Sequence, residues 1–116
     1  MTVNYRFLAP LLLLVAVLFA EPIAAQTALP LNGPVIERIR DKQVLTIAYD
    51  PNHAPFSLLG DDGQPTGYTV DLCRIIASQL VTQLNLGMLD VRWLKTNPRT
   101  RFEAIDSGDA DLECSA

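Results

Sequence analysis

Six residues, VLTIAY at 44–49, constrain this chain more than any others. They are rich in β-branched side chains and almost uninterrupted in apolarity. A strand facing water on one side alternates, whereas one without alternation needs cover on both faces, as in a parallel sheet sandwiched by helices. The rest of the chain supplies the partners such a strand needs. From 70 to about 84, Leu72, Ile75, Ile76, Leu80, Val81 and Leu84 recur at helical spacing, with Thr69 able to cap and Asp71 placed near the N-terminal dipole. LDVRWLKT (89–96) then alternates as a strand with Leu89, Val91 and Trp93 inward. A second helix follows, with Asn97 as cap, Pro98 in its first turn, Phe102 and Ile105 as its apolar stripe and Gly108 at its end. ADLEC (110–114) is a third strand. The expected fold class is therefore α/β, a parallel β-α-β-α-β core. PVIERIRDKQ (34–43) precedes it as a short helix opened by Pro34. FSLLG, DDGQ and PTGY form a hairpin around an Asp-Gly turn, expected to project from the body, with Gly60, Gly63 and Gly67 as hairpin glycines.

The first quarter of the chain has a different character. FLAPLLLLVAVLFA (7–20) is an apolar run of fourteen residues behind Arg6, followed by the small residues of EPIAAQTA. It is short of the ~20 residues of a membrane span and has the layout of an export signal, expected to be cut after Ala25. The reading is thus residues 1–25 signal peptide, 26–33 linker and 34–116 the folded part, periplasmic or otherwise exported, with no stable membrane span after cleavage. Arg6 and Glu21 cancel, so the net charge of −4 belongs equally to the remainder. Without a basic patch, nucleic acid is not an expected partner.

Ligands bind outside the carboxyl ends of strands in sheets of this kind. Two segments fall there: YDPNHAPF (49–56) after the first strand and CSA (114–116) after the third. Asp50 reads either as a turn former before Pro51 or as a ligand contact. His53 reads as a solvated loop residue or as a side chain that stacks on a bound solute, and Phe56 as core or as cleft wall. Arg101 is a surface charge or a carboxylate-binding fork, for which its guanidinium is better suited than any lysine. No catalytic constellation is complete, because His53 is the sole histidine and no serine occupies a G-x-S-x-G elbow. One histidine and two distant cysteines match no metal-ligand spacing, so no cofactor is expected. Cys73 and Cys114 are the only cysteines; in an exported chain they form a disulfide or remain as two small buried hydrophobes.

Three signatures occur in order: D-x-x-x-x-P-F at 50–56, G-Y-x-x-D-L at 67–72 and S-G-x-x-D at 107–111. Together they resemble the N-terminal lobe of the periplasmic amino-acid-binding proteins of ABC importers, solute-binding family 3, over residues 35–116. The ending is most similar to the glutamate/aspartate-binding branch. The resemblance implies part of one lobe of a periplasmic-binding-protein type II fold, with Asp50, His53 and Phe56 at the cleft, Arg101 as a cleft arginine and Ser115 opening the segment that holds the ligand's α-groups. It implies capture of a small polar amino acid for an ABC permease, not enzymatic turnover. Family members continue past the serine into a carboxylate-clamping arginine and a second lobe, so the chain reads as a truncated first lobe. Asp50 stands where acidic-amino-acid binders tend to carry arginine, and His53 where tyrosine is common. A dehydratase on the same fold, or the sensory domain of a membrane receptor, is the alternative.

Overall fold

The computed structural model describes residues 31–115. The expected signal peptide and most of the expected linker therefore lie outside the described residues. Helix α1 (Pro34–Lys42) opens on Pro34 and ends where Gln43 turns left-handed at φ 53° and donates its N–H to Ile39. Strand β1 (Val44–Tyr49) follows at once. Two short strands, β2 (Asn52–His53) and β3 (Ser57–Leu59), lead through a turn to β4 (Pro65–Thr66). Helix α2 (Tyr68–Gln83), β5 (Asp90–Lys95), α3 (Arg101–Asp106) and β6 (Leu112–Glu113) complete the described residues.

The main sheet has the order β5-β1-β6, with both pairings parallel, and β1 runs in full register against β5 from Val44↔Asp90 to Tyr49↔Lys95. Strand β6 is anchored by only two register pairs, Ile47↔Leu112 and Ala48↔Glu113. This is the expected parallel core, and it explains why VLTIAY lacks alternation. The strand lies between two others and is covered from both sides. One face packs Leu45 and Ile47 against Ile39 of α1 and Cys73 and Ala77 of α2, with Trp93 and Val91 of β5 at the margin. The opposite face is thinner, with Ala48 against Ala104 of α3 and Ala110, and Leu94 beside them.

The helices depart from the expected stripes. Helix α2 buries Val70, Cys73 and Ala77, with Leu84 just beyond its end, while Leu72, Ile75 and Ile76 are 42%, 57% and 44% exposed. Both sets satisfy helical spacing; the small side chains of Cys73 and Ala77 let the helix approach the sheet closely, and the bulkier set faces out. Phe102 and Ile105 of α3 likewise face outward, and Ala104 makes the contact. That helix begins at Arg101, after a turn in which the Asn97 side chain accepts the N–H groups of Arg99 and Thr100. Asn97 therefore caps the turn before the helix.

Asp111, the acid of the S-G-x-x-D signature, has a structural task. Its carboxylate accepts the Arg38 guanidinium and, at 2.9 Å, the backbone N–H of Thr46, and its own N–H bonds to the Thr46 carbonyl at 2.8 Å. One buried carboxylate thereby joins α1, β1 and the entry to β6. The charge-assisted bonds compensate for its loss of water.

Candidate functional site at the carboxyl edge of the sheet

The chain leaves β1 through Asp50, which is held by its own turn, by the start of β3 and by the sequence-distant residue after β6. Its backbone N–H donates to Ser115 Oγ at 3.0 Å, its carbonyl accepts the Ser57 hydroxyl at 2.7 Å, and its carboxylate accepts the Asn52 N–H at 2.9 Å. Asp50 is buried, and the last of these bonds is the Asx turn that lets the chain reverse into β2. Turn former thus describes one oxygen of the Asp50 carboxylate. Ser57 is completely buried, and its role could have been suspected only from its place directly after the P-F pair.

His53 lies in β2, which pairs antiparallel with β3, so the expected two-stranded hairpin is a three-stranded sheet, β2-β3-β4. The His53 and Phe56 rings meet edge to face at 6.0 Å, and Phe56 is 40% exposed. Phe56 is not a core residue. The Ala54–Pro55 peptide between them is cis.

The hairpin is fastened at its base to the helix that follows, while its turn at 61–64 is exposed. The first turn of α2 is bonded to the 55–56 segment, Tyr68 N–H to the Pro55 carbonyl at 3.2 Å and Thr69 N–H to the Phe56 carbonyl at 2.9 Å, and Arg74 reaches the Pro65 carbonyl at 2.6 Å. Gly67 makes this approach possible. Its φ is +116°, and a Cβ there would lie 2.4 Å from the Phe56 carbonyl oxygen. Helix α2 therefore starts at Tyr68, one residue before the expected cap. Thr69 is inside the helix, and its hydroxyl lies 2.8 Å from two carbonyl oxygens outside it, those of Phe56 and Cys114.

Cys73 and Cys114 are joined by a disulfide, with Cα atoms 6.4 Å apart across a separation of 41 residues. It fastens the end of β6 to α2 and delivers Ser115 to Asp50. Beyond β5, Thr96 bonds through both N–H and hydroxyl to the Tyr49 carbonyl. Tyr49 is buried edge-on to Trp93 at 5.9 Å, and burial pushes its phenol above the usual range, so it stays neutral. Arg101 opens α3 with its guanidinium carbon 4.7 Å from the Phe102 ring centre, and its N–H bonds to the Asn97 carbonyl. Asp50 and Ser115 are thus in direct contact, as are His53 and Phe56, and Arg101 follows the carboxyl end of the neighbouring strand. The interlocking residues Ser57, Gly67, Thr69 and Thr96 were not singled out as site residues in the sequence. Among the described residues no cluster of three His, Cys, Asp or Glu side chains could hold a metal ion, and no helix is long and apolar enough to cross a membrane.

Residues 45–116 match the model of the bacterial extracellular solute-binding proteins, family 3. The L-glutamate/L-aspartate-binding protein of Pseudomonas aeruginosa is 32% identical over 94% of this chain and 36% of its own length. Among solved structures, an ancestral cationic amino acid solute-binding protein superposes with a TM-score of 0.61 at 26% identity, over 71% of this chain and 33% of the other. The L-cystine solute receptor of Neisseria gonorrhoeae, in its unliganded open form, gives a TM-score of 0.57 at 28% identity, over 72% and 32%. The chain spans about a third of the length of each of these three proteins.

Proposed function

We propose, from the premise that this chain belongs to the bacterial extracellular solute-binding proteins of family 3, that it captures a polar amino acid outside the cytoplasm for an ABC importer. The observation that carries the reading is the bond between Asp50 N–H and Ser115 Oγ. It brings the loops after the first and third strands together at the edge where sheets of this kind receive ligands. Asp50, His53, Phe56, Arg101 and Ser115 form this chain's share of the cleft. A carboxylate and a guanidinium complement the ammonium and carboxylate that every α-amino acid carries. Glutamate and aspartate are the first ligands to try, because the P. aeruginosa relative is named for them.

Calorimetric titration of the full-length protein with L-glutamate, L-aspartate, L-glutamine, L-arginine and L-lysine tests the reading. Saturable binding of one of them, with the amino acid recovered unchanged, is the expected result. No binding of any, or consumption of a bound acid as a dehydratase would require, refutes it.

Asp50→Asn separates the two tasks of that side chain. Asparagine keeps an oxygen for the Asn52 N–H, so the turn survives and only the charge is lost. Affinity for lysine or arginine should fall about tenfold or more, the scale of one lost charge-assisted bond, and affinity for glutamate much less. Equal losses for all ligands would make Asp50 a turn residue only.

Export rests on residues 1–25 serving as a cleaved leader. The intact mass of protein recovered from the periplasm should correspond to a chain beginning at Gln26, and a mass that includes Met1 would contradict this.

A further inference from the structure

We propose that Thr69 is the positioning residue of the cleft, setting the spacing between the wall that carries His53 and Phe56 and the floor that carries Ser115. The inference rests on the binding function proposed above and goes beyond it, because Thr69 is not one of the residues assigned to ligand contact.

The chemistry of a hydroxyl carries the argument. Thr69 Oγ1 lies 2.8 Å from the Phe56 carbonyl oxygen and 2.8 Å from the Cys114 carbonyl oxygen. A hydroxyl has one proton to donate. The Phe56 oxygen already accepts the Thr69 backbone N–H at 2.9 Å. The hydroxyl proton therefore matters most at Cys114, where it links the start of α2 to the end of β6. The same residue thus holds the wall with its N–H and the floor with its side chain.

Neither segment is firmly held by its own strand. Strand β2 has two residues, and β6 has two register pairs. Cys114 is fixed by its N–H to Ala48, its sulfur to Cys73 and its carbonyl to Thr69. The disulfide pins a Cβ; the Cys114–Ser115 peptide plane is held at its oxygen by Thr69 and at its N–H by the Glu113 carboxylate at 3.0 Å, and of these two only the Thr69 bond comes from outside β6 and its own end. The orientation of the Cys114–Ser115 peptide decides whether Ser115 Oγ reaches the Asp50 N–H at 3.0 Å.

Thr69→Val keeps the shape and removes the donor, and Thr69→Ser restores the donor without the methyl group. The first readout needs no ligand and is amide hydrogen exchange in the oxidised protein. In Thr69→Val the Asp50 and Cys114 amides should exchange about five- to tenfold faster, as expected for losing one hydrogen bond that restrains a local opening. The Asp90 amide, bonded to the Gln43 carbonyl at the opposite edge of the sheet, should not change. Thr69→Ser should return the first two to near the wild-type rate. Thr69→Ala serves the same arm should the valine variant not fold. Unchanged exchange at Asp50 and Cys114, or an equal increase at Asp90, overturns the proposal, the latter because it marks a general loss of stability. The second readout is affinity for whichever of the five amino acids above is bound. Thr69→Val should weaken it about tenfold and Thr69→Ser by less than about threefold; equal weakening by both overturns the positioning role. Failure of the wild type to bind any of the five sinks the binding function alone, since the exchange readout still decides the placement of the floor.

Discussion

Replacing Gly67 by alanine is expected to destabilise the folded chain by about 3 kcal/mol or more, the largest effect among the glycine-to-alanine changes of the described residues. Two costs combine. With φ at +116° and ψ at 169°, Gly67 occupies a backbone region open essentially to glycine alone, and holding another residue there costs roughly 1–3 kcal/mol. The added Cβ would also lie 2.4 Å from the Phe56 oxygen, 2.7 Å from its carbonyl carbon and 2.9 Å from the Pro55 oxygen. All three are backbone atoms, so no rotamer change relieves the overlap, and forced shifts of this kind cost roughly 1–3 kcal/mol more. The movement would break the bonds from Tyr68 and Thr69 to the 55–56 segment, and with them the link between helix and wall. Gly63→Ala is the control: its φ is also positive, at +74°, but nothing lies within 4 Å of the added atom. Urea unfolding should show a loss for Gly67→Ala at least twice that for Gly63→Ala. A loss below about 1 kcal/mol at Gly67 would mean that helix and hairpin separate freely and that the close approach has no energetic weight.

Which parts of this arrangement are legible in the sequence follows from what periodicity encodes. Strand β1 is found at 44–49 because a doubly buried strand writes its whole length in β-branched and apolar residues. The parallel order of the main sheet follows from the alternation of strand and helix. Period alone does not give phase. In α2 the expected set mixes Leu80 and Leu84, which pack on the core, with a stripe of Leu72, Ile75 and Ile76, which do not, while Val70, Cys73 and Ala77 form the second, buried stripe. The cysteine within the second stripe was the available signal, because a residue destined to meet Cys114 must face the sheet. Phe102 and Ile105 mislead in the same way in α3, where the narrow space over Ala48 admits Ala104 and excludes a phenyl ring.

The surroundings of the candidate site were legible in the loops and not in the supports. Asp50 and Ser115 could be placed because each follows the carboxyl end of a strand. Thr69 could not, since a threonine at a helix start ordinarily caps its own helix. Here the helix begins a residue earlier, at the one position where glycine allows the chain to touch the hairpin, and the hydroxyl is turned to carbonyls 13 and 45 residues away in sequence. Strand β2 was missed for a simpler reason: two residues display no period.

Breaking the Cys73–Cys114 bond is expected to cost roughly 4 kcal/mol, because a separation of 41 residues is large enough for the chain-entropy model to give a value near the top of the usual range. Domains of this size hold about 5–15 kcal/mol in all, so the bond would supply a large share. The loss should be greatest where other restraints are fewest. Strand β1 keeps its six-residue pairing with β5 whatever the state of the sulfurs, whereas β6 depends on two register pairs, the Asp111 bonds, Thr69 and the disulfide. Reduction should therefore loosen β6 before the rest of the sheet and release Ser115 from the Asp50 N–H, which ties stability to the geometry of the proposed cleft. The comparison is best made between oxidised and reduced wild type, since Cys73 and Cys114 are both buried and alanine at either would add a packing loss. Urea unfolding should give a midpoint well below that of the oxidised protein, with the Cys114 and Asp50 amides losing exchange protection in reductant before those of β1. Thiol counting on the unfolded, unreduced chain should find no free sulfhydryl. Two free thiols would remove the bond altogether, and coincident midpoints for oxidised and reduced protein would show that β6 is held by its hydrogen bonds alone.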